Sequence, residues 1–299
     1  MKPLQLRSLF WDRGFALFAW GCSLALVGVI FIILGFLVIK GFHTLTPSLI
    51  FGDTPFWDAL FLKRQVFDGL FPAIVGTLCL ILLAMVFAVP LGLFTGIFLA
   101  EYASFRVKWV FSIVFDILAG IPSIVVGLFG FSVTLFLHHY FFAQLFPCLL
   151  ISALSLAFLV LPYMIRTTQM ALESLPPGVR ITAMGLGATK FQNIIYVLLP
   201  ASVSAIVSGI ILSIGRCAED TAVIMLTGAV ATAGIPRSLF SSFEALPFYI
   251  YYISSQYADH SELMKGYGAC LVLIFICMIL FVLAHLIKTK VSQQLMYRS

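Results

Sequence analysis

The chain has 299 residues, of which 62% are hydrophobic and only 10% are charged, and its formal net charge is +5. Soluble domains carry about 25% charged residues, so this composition excludes a soluble globular protein and predicts an integral membrane protein. In a membrane protein, Lys and Arg residues are concentrated in the loops on the cytoplasmic side, and this accounts for the positive net charge. It therefore does not indicate nucleic-acid binding.

Six apolar runs are long enough to cross a bilayer, since a membrane-spanning helix needs about 20 apolar residues. The first run is too long for a signal-peptide core, so we expect a retained helix. We predict an all-α membrane protein with one transmembrane domain over 1–299. Its predicted spans are about 15–39, 70–100, 110–137, 142–164, 201–230 and 267–287.

The positive residues predict an orientation. If the N-terminus is cytoplasmic, eleven Lys and Arg residues fall inside (Lys2, Arg7, Arg13, Arg106, Lys108, Arg166, Arg180, Lys190, Lys288, Lys290, Arg298). Five then fall outside (Lys40, Lys63, Arg64, Arg237, Lys265). The positive-inside rule therefore predicts that both termini are cytoplasmic and that the segments 41–69 and 231–266 are external.

Three smaller features have ordinary interpretations. We expect Glu101 to be an interfacial cap at the end of the second span. We expect Pro122 to interrupt the third span. The adjacent His138 and His139 have no third ligand nearby in sequence, and the six cysteines lie in apolar runs without metal-ligand spacing, so no metal site is predicted.

The largest predicted cytoplasmic segment runs from Arg166 to Pro200. The sequence Pro-Pro-Gly at 176–178 is a strong helix break, and the short run VRITAMGLG follows with apolar residues at helical spacing. Gly187 can adopt the left-handed conformation that ends a helix, and Thr189 is a plausible N-cap for the next one. This predicts a compact protrusion able to dock in a groove on another protein.

The spacing of this protrusion resembles the cytoplasmic loop of ABC-importer permeases, E-A-A, three residues, Gly, nine residues, I-x-L-P. Here Ile181 and Thr182 replace the Glu and the first Ala, and Gly187 and Pro200 keep their places. The resemblance implies that this loop grips a separate ATP-binding subunit. Its predicted coupling residues are Arg180, Ile181, Thr182, Ala183, Met184, Gly185, Leu186 and Gly187.

Four further stretches resemble phosphate-specific ABC transporter permeases: PLGLFTGIFLAEYA (90–103), GIPSIVVGLFG (120–130), LPYMIRTTQMAL (161–172) and LGATKFQNIIYVLLP (186–200). The IRTT stretch and the chain length favour the A-type subunit. The resemblance implies a type I importer fold in a prokaryotic inner membrane. It also implies three partners, which are a dimer of ATP-binding subunits, a C-type permease and an extracytoplasmic phosphate-binding protein.

Three charges interrupt the fifth predicted span. Arg216, Glu219 and Asp220 are spaced i, i+3 and i, i+4, which places them on one face of a continuous helix near mid-membrane. In the family pattern R-x-x-G-E-T-A, Arg216 aligns with the Arg, Glu219 with the Gly, Asp220 with the Glu and Thr221 with the Thr.

Two interpretations of these charges remain open. Arg216 and Asp220 can form a structural pair that holds the helix against its neighbours. Alternatively, the charges mark a substrate pathway, because ionisable groups inside a membrane usually do and a guanidinium matches the oxygens of phosphate. We favour the pathway and assign to it Arg216, Glu219, Asp220 and Thr221, although Thr221 can instead satisfy freed backbone groups.

The sequence contains no G-x-x-x-x-G-K-[ST] motif. We therefore expect a transport subunit that binds no cofactor itself and uses ATP hydrolysed by its partner in an alternating-access cycle. An importer of another oxyanion (sulfate, molybdate, tungstate or phosphonate) remains an alternative, because Glu219 stands where glycine is usual. An intramembrane enzyme is disfavoured, since the acids and the histidine pair fall at different predicted depths.

Overall fold

The computed structural model describes residues 3–52, 54 and 69–296, and this part of the chain is almost entirely helical. Lys2, Lys63, Arg64, Arg298 and most of the predicted external segment 41–69 lie outside it. The helices are α1 Pro3–Gly41, α2 Pro47–Phe51, α3 Phe71–Ile97, α4 Phe105–Ala119, α5 Ser123–Tyr140, α6 Leu149–Glu173, α7 Pro177–Gly185, α8 Lys190–Asn193, α9 Leu199–Glu219, α10 Thr221–Thr227, α11 Leu246–Gln256 and α12 His260–Met296.

Two π-helical segments interrupt regular helix. Phe98–Tyr102 continues α3, and Ile194–Leu198 joins α8 to α9. With these included, the described residues contain six helical stretches long and apolar enough to cross a membrane: Asp12–Thr44, Phe71–Tyr102, Ser123–Tyr140, Leu149–Glu173, Lys190–Glu219 and His260–Lys290. The predicted all-α class and the predicted number of spans are therefore confirmed.

Helix α6 lies at the centre of the fold and packs against α3. This contact depends on glycine, because a Cβ atom on Gly92 would lie 2.5 Å from the Cβ of Met164. A Cβ on Gly96 would likewise lie 2.6 Å from the Cβ of Thr168. Small residues let membrane helices approach closely, so α3 and α6 form a close-packed pair, against which α9 also packs.

The predicted third span, 110–137, is two helices rather than one. Helix α4 ends at Ala119 and α5 begins at Ser123, with Pro122 in an extended N-cap conformation (φ −57°, ψ 136°). Proline has no N–H and disfavours helical geometry in the residue before it. The break predicted at Pro122 is therefore confirmed, and the predicted continuous bounds were wrong.

The fourth span also differs from its predicted bounds of 142–164. Helix α6 begins at Leu149 and continues to Glu173, through the polar stretch IRTTQMALE. This stretch is helical because Thr168, Gln169 and Leu172 are buried against neighbouring elements. The protrusion between α6 and α9 is consequently shorter than the predicted cytoplasmic segment 166–200, because the first eight residues of that segment belong to α6.

Candidate functional site

The charged stretch of the fifth span is a helix junction. Helix α9 ends at Glu219, and Asp220 adopts an extended conformation (φ −79°, ψ 107°) before α10 begins at Thr221. The Asp220 carboxylate accepts a 2.9 Å hydrogen bond from the backbone N–H of Val223, as an N-cap residue does. The predicted continuous helix over 201–230 was therefore wrong, and Asp220 does not share a helix face with Arg216.

Arg216 pairs with Glu219 instead. The Nη1 atom of Arg216 donates to Oε1 of Glu219 at 2.9 Å, and 42% and 64% of the two side chains are exposed. The Nε–H of Arg216 is buried and has no hydrogen-bond acceptor among the described residues. The predicted Arg216–Asp220 structural pair is not formed, and the guanidinium keeps donors that Glu219 does not use.

A cavity of about 640 Å³ opens beside this ion pair. Its lining contains Arg216 and Glu219 together with the hydroxyl groups of Tyr163, Ser208 and Ser213. The cavity lies between α6, α9 and α12, since Tyr163, Ser208 and Phe281 line it. Its lining is mainly apolar, and the three hydroxyl groups donate to backbone carbonyls. The incompletely paired guanidinium of Arg216 is therefore the group in this cavity that is suited to a small anion.

A second, mainly apolar cavity of about 800 Å³ lies on the other side of Glu219, between α9 and α12. Cys277 and Phe281 of α12 line it, and both lie within the apolar stretch 267–287. Arg216 and Glu219 are thus in the last turn of α9 but face the middle of the apolar part of α12. The predicted position of Arg216 in the middle of its own helix was wrong.

Thr221 begins α10 and is half-buried. Helix α10 is fixed on two sides. Thr227 donates a 2.9 Å hydrogen bond to Ser152 of α6, and a Cβ on Gly127 of α5 would lie 3.1 Å from the backbone of Ala222. These contacts hold Thr221 next to the junction. Of the four predicted pathway residues, only Arg216 and Glu219 line the cavity, whereas Asp220 caps α10 and Thr221 begins it.

The protrusion between α6 and α9 has the predicted shape. Helix α7 is followed by Gly187 in the left-handed region (φ +88°), and Thr189 forms a capping box with Gln192. Both predictions are confirmed. The exposed surface of the protrusion is apolar: Ile181, Met184 and Leu186 are 61%, 44% and 86% exposed. Thr182, Gly185 and Gly187 are also exposed, and Ala183 is half-buried.

Arg180 differs from the other predicted coupling residues because its side chain turns inward. Its Nη1 donates to Oε1 of Glu101 at 2.8 Å, and its Nη2 donates to the backbone carbonyl of Leu172. The Glu101 side chain is only 10% exposed, so the predicted interfacial cap was wrong. Sequence reasoning missed this pair because its partners are 79 residues apart.

The histidine pair shows no sign of a metal site. His138 and His139 lie in the last turn of α5, and Nδ1 of His138 is 3.0 Å from the carbonyl of Leu145. Within the described part of the chain, no three His, Cys, Asp or Glu side chains are grouped so that they hold a metal ion.

The chain belongs to the family of binding-protein-dependent transport system inner membrane components, whose model matches residues 88–295. It is 34% identical over 232 residues to the phosphate transport system permease protein PstA 1 of Mycobacterium tuberculosis, covering 76% of this chain and 73% of that one. It is 35% identical over 227 residues to PstA of Yersinia pestis, covering 74% and 73%.

The fold is similar to those of solved ABC importers. The chain superposes on a subunit of a bacterial transporter for the import of the acidic polysaccharide alginate with a TM-score of 0.65 and 15% identity, covering 95% of this chain and 99% of that one. A methionine ABC transporter in an inward-facing conformation gives 0.56 at 15% identity, covering 80% and 99%. The chain is therefore a multi-pass membrane permease with the type I ABC importer fold.

Proposed function

We propose that the chain is an A-type permease subunit of an ATP-driven phosphate importer, in which 1–299 form a single membrane domain. The relatives named as phosphate transport permeases support the substrate class. The observation that carries the proposal is the incompletely paired guanidinium of Arg216, whose buried Nε–H has no acceptor among the described residues and which lines a cavity large enough for a small anion. Fixed cations with several N–H donors bind the oxygens of phosphate through charge-assisted hydrogen bonds.

Glu219 and Thr221 have supporting roles in this pathway. Glu219 accepts from one guanidinium nitrogen of Arg216, so it weakens the positive field and prevents the anion from being held too tightly to leave. Conduction requires binding that is favourable yet reversible. The hydroxyl of Thr221 offers a further donor at the same junction, and Asp220 fixes the junction itself by capping α10.

The energy comes from a separate dimer of ATP-binding subunits, so this chain binds no cofactor and hydrolyses no ATP. Those subunits dock on the exposed residues of α7 and its elbow, chiefly Ile181, Met184 and Leu186. A C-type permease completes the pathway, and an extracytoplasmic binding protein delivers phosphate to the outer surface. Both termini are cytoplasmic in the prokaryotic inner membrane, and the two permeases alternate between outward and inward access.

A second candidate is an importer of another oxyanion, such as sulfate, molybdate, tungstate or phosphonate. It is kept because the acidic Glu219 contacts Arg216 directly, which alters the charge presented to the anion. Uptake of labelled phosphate into vesicles that contain the complete complex distinguishes the two. Phosphate uptake that resists excess sulfate and molybdate supports the first candidate, and uptake of a competitor in place of phosphate supports the second.

A further inference from the structure

Arg180 fastens α7 to two other parts of the protein. Its guanidinium bridges Oε1 of Glu101, in the first π-helical segment, and the carbonyl of Leu172, at the end of α6. Its own backbone carbonyl accepts a 2.9 Å hydrogen bond from Nδ2 of Asn193, which directly precedes the second π-helical segment. One residue of the docking helix is therefore connected directly to the π-helical continuation of α3, to α6 and to α8, and α8 leads through the second π-helical segment into α9.

Both π-helical segments contribute to the same buried apolar cluster. Ala100 from the first and Ile194 and Leu198 from the second form a buried apolar cluster with Leu172. The first segment continues α3, and the second leads directly into α9, which carries Arg216. π-helical turns are rare and often occur at functional sites. Both segments lie next to partners of Arg180, and the second connects the protrusion to α9, at whose other end, about 27 Å away by helical rise, Arg216 lies.

The bridge is shielded from water. The side chains of Glu101 and Arg180 are 10% and 26% exposed, whereas those of Arg166 and Asp116 in another ion pair are 29% and 67% exposed. Lys190 adds to the shielding, because its Nζ donates to the backbone carbonyl of Glu101. Removing one partner of a buried pair leaves an uncompensated charge, so this bridge resists breaking when α7 is displaced.

We propose that Glu101 and Arg180 form a positioning bridge that transmits movement of α7 to α3 and α9 during transport. Arg180 is thus a transmission residue rather than a docking residue, and Glu101 is its necessary partner. The docking surface of Ile181, Met184 and Leu186 holds the ATP-binding subunit, and the bridge turns its motion into motion of the pathway helices. This inference rests on the proposed function, because it assumes that an ATP-binding subunit docks on α7.

The test measures ATP hydrolysis and phosphate uptake in the same vesicles, using the complete complex. Glu101→Gln removes the charge of the bridge. Arg180→Lys keeps the positive charge. It replaces the planar guanidinium with a single ammonium group, which does not reach Glu101 and the carbonyl of Leu172 in the same geometry. Asp116→Asn is the matched control, because the Arg166–Asp116 pair touches neither α7 nor a π-helical segment.

We expect the complex with Glu101→Gln to assemble and to hydrolyse ATP. The amount of phosphate taken up per ATP hydrolysed should fall about tenfold, because the variant loses a buried charge-assisted hydrogen bond. Arg180→Lys should show a smaller loss, and Asp116→Asn the native ratio. If Glu101→Gln and Arg180→Lys both take up as much phosphate per ATP as the native complex, the proposed role of the bridge is wrong. It is also wrong if Asp116→Asn loses as much uptake per ATP as Glu101→Gln. Should Glu101→Gln not assemble, Arg180→Lys alone decides.

A second measurement separates this inference from the proposed substrate. If the native complex does not take up phosphate, the proposed function fails, and the bridge is then judged from ATP hydrolysis alone. In that case we expect the loaded binding protein to stimulate hydrolysis by the native complex and by Asp116→Asn but not by Glu101→Gln. Equal stimulation of all three overturns the bridge.

Discussion

The carboxylate of Asp220 accepts a 2.9 Å hydrogen bond from the backbone N–H of Val223, three residues ahead of it. This contact starts α10 and ends the continuity of the fifth span. As a result, the side chain of the buried Asp220 caps the backbone of α10, and the neighbouring Glu219 forms the ion pair with Arg216. Two adjacent acidic residues thus have separate roles.

This division predicts different effects for two substitutions of Asp220. Asn keeps a side-chain oxygen that accepts from Val223, and Ala does not, so Ala should destabilise the protein by about 0.5–2 kcal/mol relative to Asn. Thermal unfolding of the purified complex in detergent measures the difference. Equal midpoints for Asp220→Asn and Asp220→Ala would show that the cap contributes nothing.

The packing of α3 against the loop before α11 predicts a steric effect at Gly76. A Cβ there would lie 2.0 Å from the backbone oxygen of Glu244, so Gly76→Ala should destabilise the protein by about 1–3 kcal/mol through overpacking. Gly28→Ala is the control, because nothing lies within 4 Å of a Cβ at Gly28. Thermal unfolding that affects the two variants alike would contradict this packing.

Glu244 predicts a pH dependence of stability. Burial raises the pKa of Glu244 above its ordinary value, and the 2.7 Å hydrogen bond from the amide of Gly234 to Oε1 lowers it by less. A raised folded-state pKa means that this contribution to stability is complete below the unfolded-state pKa and is lost as pH rises through the folded-state value.

Glu244→Gln removes this loss, because the amide oxygen still accepts from Gly234 and carries no charge. We expect the variant to unfold at the same temperature as the native protein at acid pH and at a higher temperature at neutral pH. A gap between Glu244→Gln and the native protein that is constant with pH would refute the assignment.

The docking surface predicts a loss of partner binding. Burying a Leu side chain contributes about 1.5–3 kcal/mol, so placing a charge at Leu186, which is 86% exposed, should weaken binding of the ATP-binding subunit by about tenfold or more. Co-purification of Leu186→Asp with that subunit measures this. Leu239→Asp, in the loop before α11, is the control, and equal recovery of the subunit with both variants would exclude docking through Leu186.

Hydropathy alone predicted much of this fold, because the bilayer imposes a minimum length on each apolar run. Local signals also sufficed for the protrusion, where Gly187 and Thr189 end and begin helices through their own backbone preferences. Neither result required knowledge of which helices are neighbours.

The remaining features depended on tertiary contacts or on competing signals. Asp220 is a favoured N-cap residue, but the apolar residues on both sides of it predicted one continuous helix. The Glu101–Arg180 pair could not be deduced from sequence, because only the folding of α3 and α7 brings the two residues to 2.8 Å. The helical continuation of α6 through its polar end could not be predicted from the sequence either, because the burial of that end depends on neighbouring helices.

In the proposed pathway Arg216 binds the transported anion. Uptake of labelled phosphate by vesicles containing the complete complex tests it, with Arg216→Gln compared to the native chain and to Arg237→Gln, which changes an exposed arginine in the loop before α11. After equal assembly has been confirmed, we predict that Arg216→Gln loses uptake by about a hundredfold or more, the equivalent of about 3 kcal/mol for a charge-assisted bond. Arg237→Gln should transport normally. Normal phosphate uptake by Arg216→Gln would show that Arg216 does not bind the transported anion.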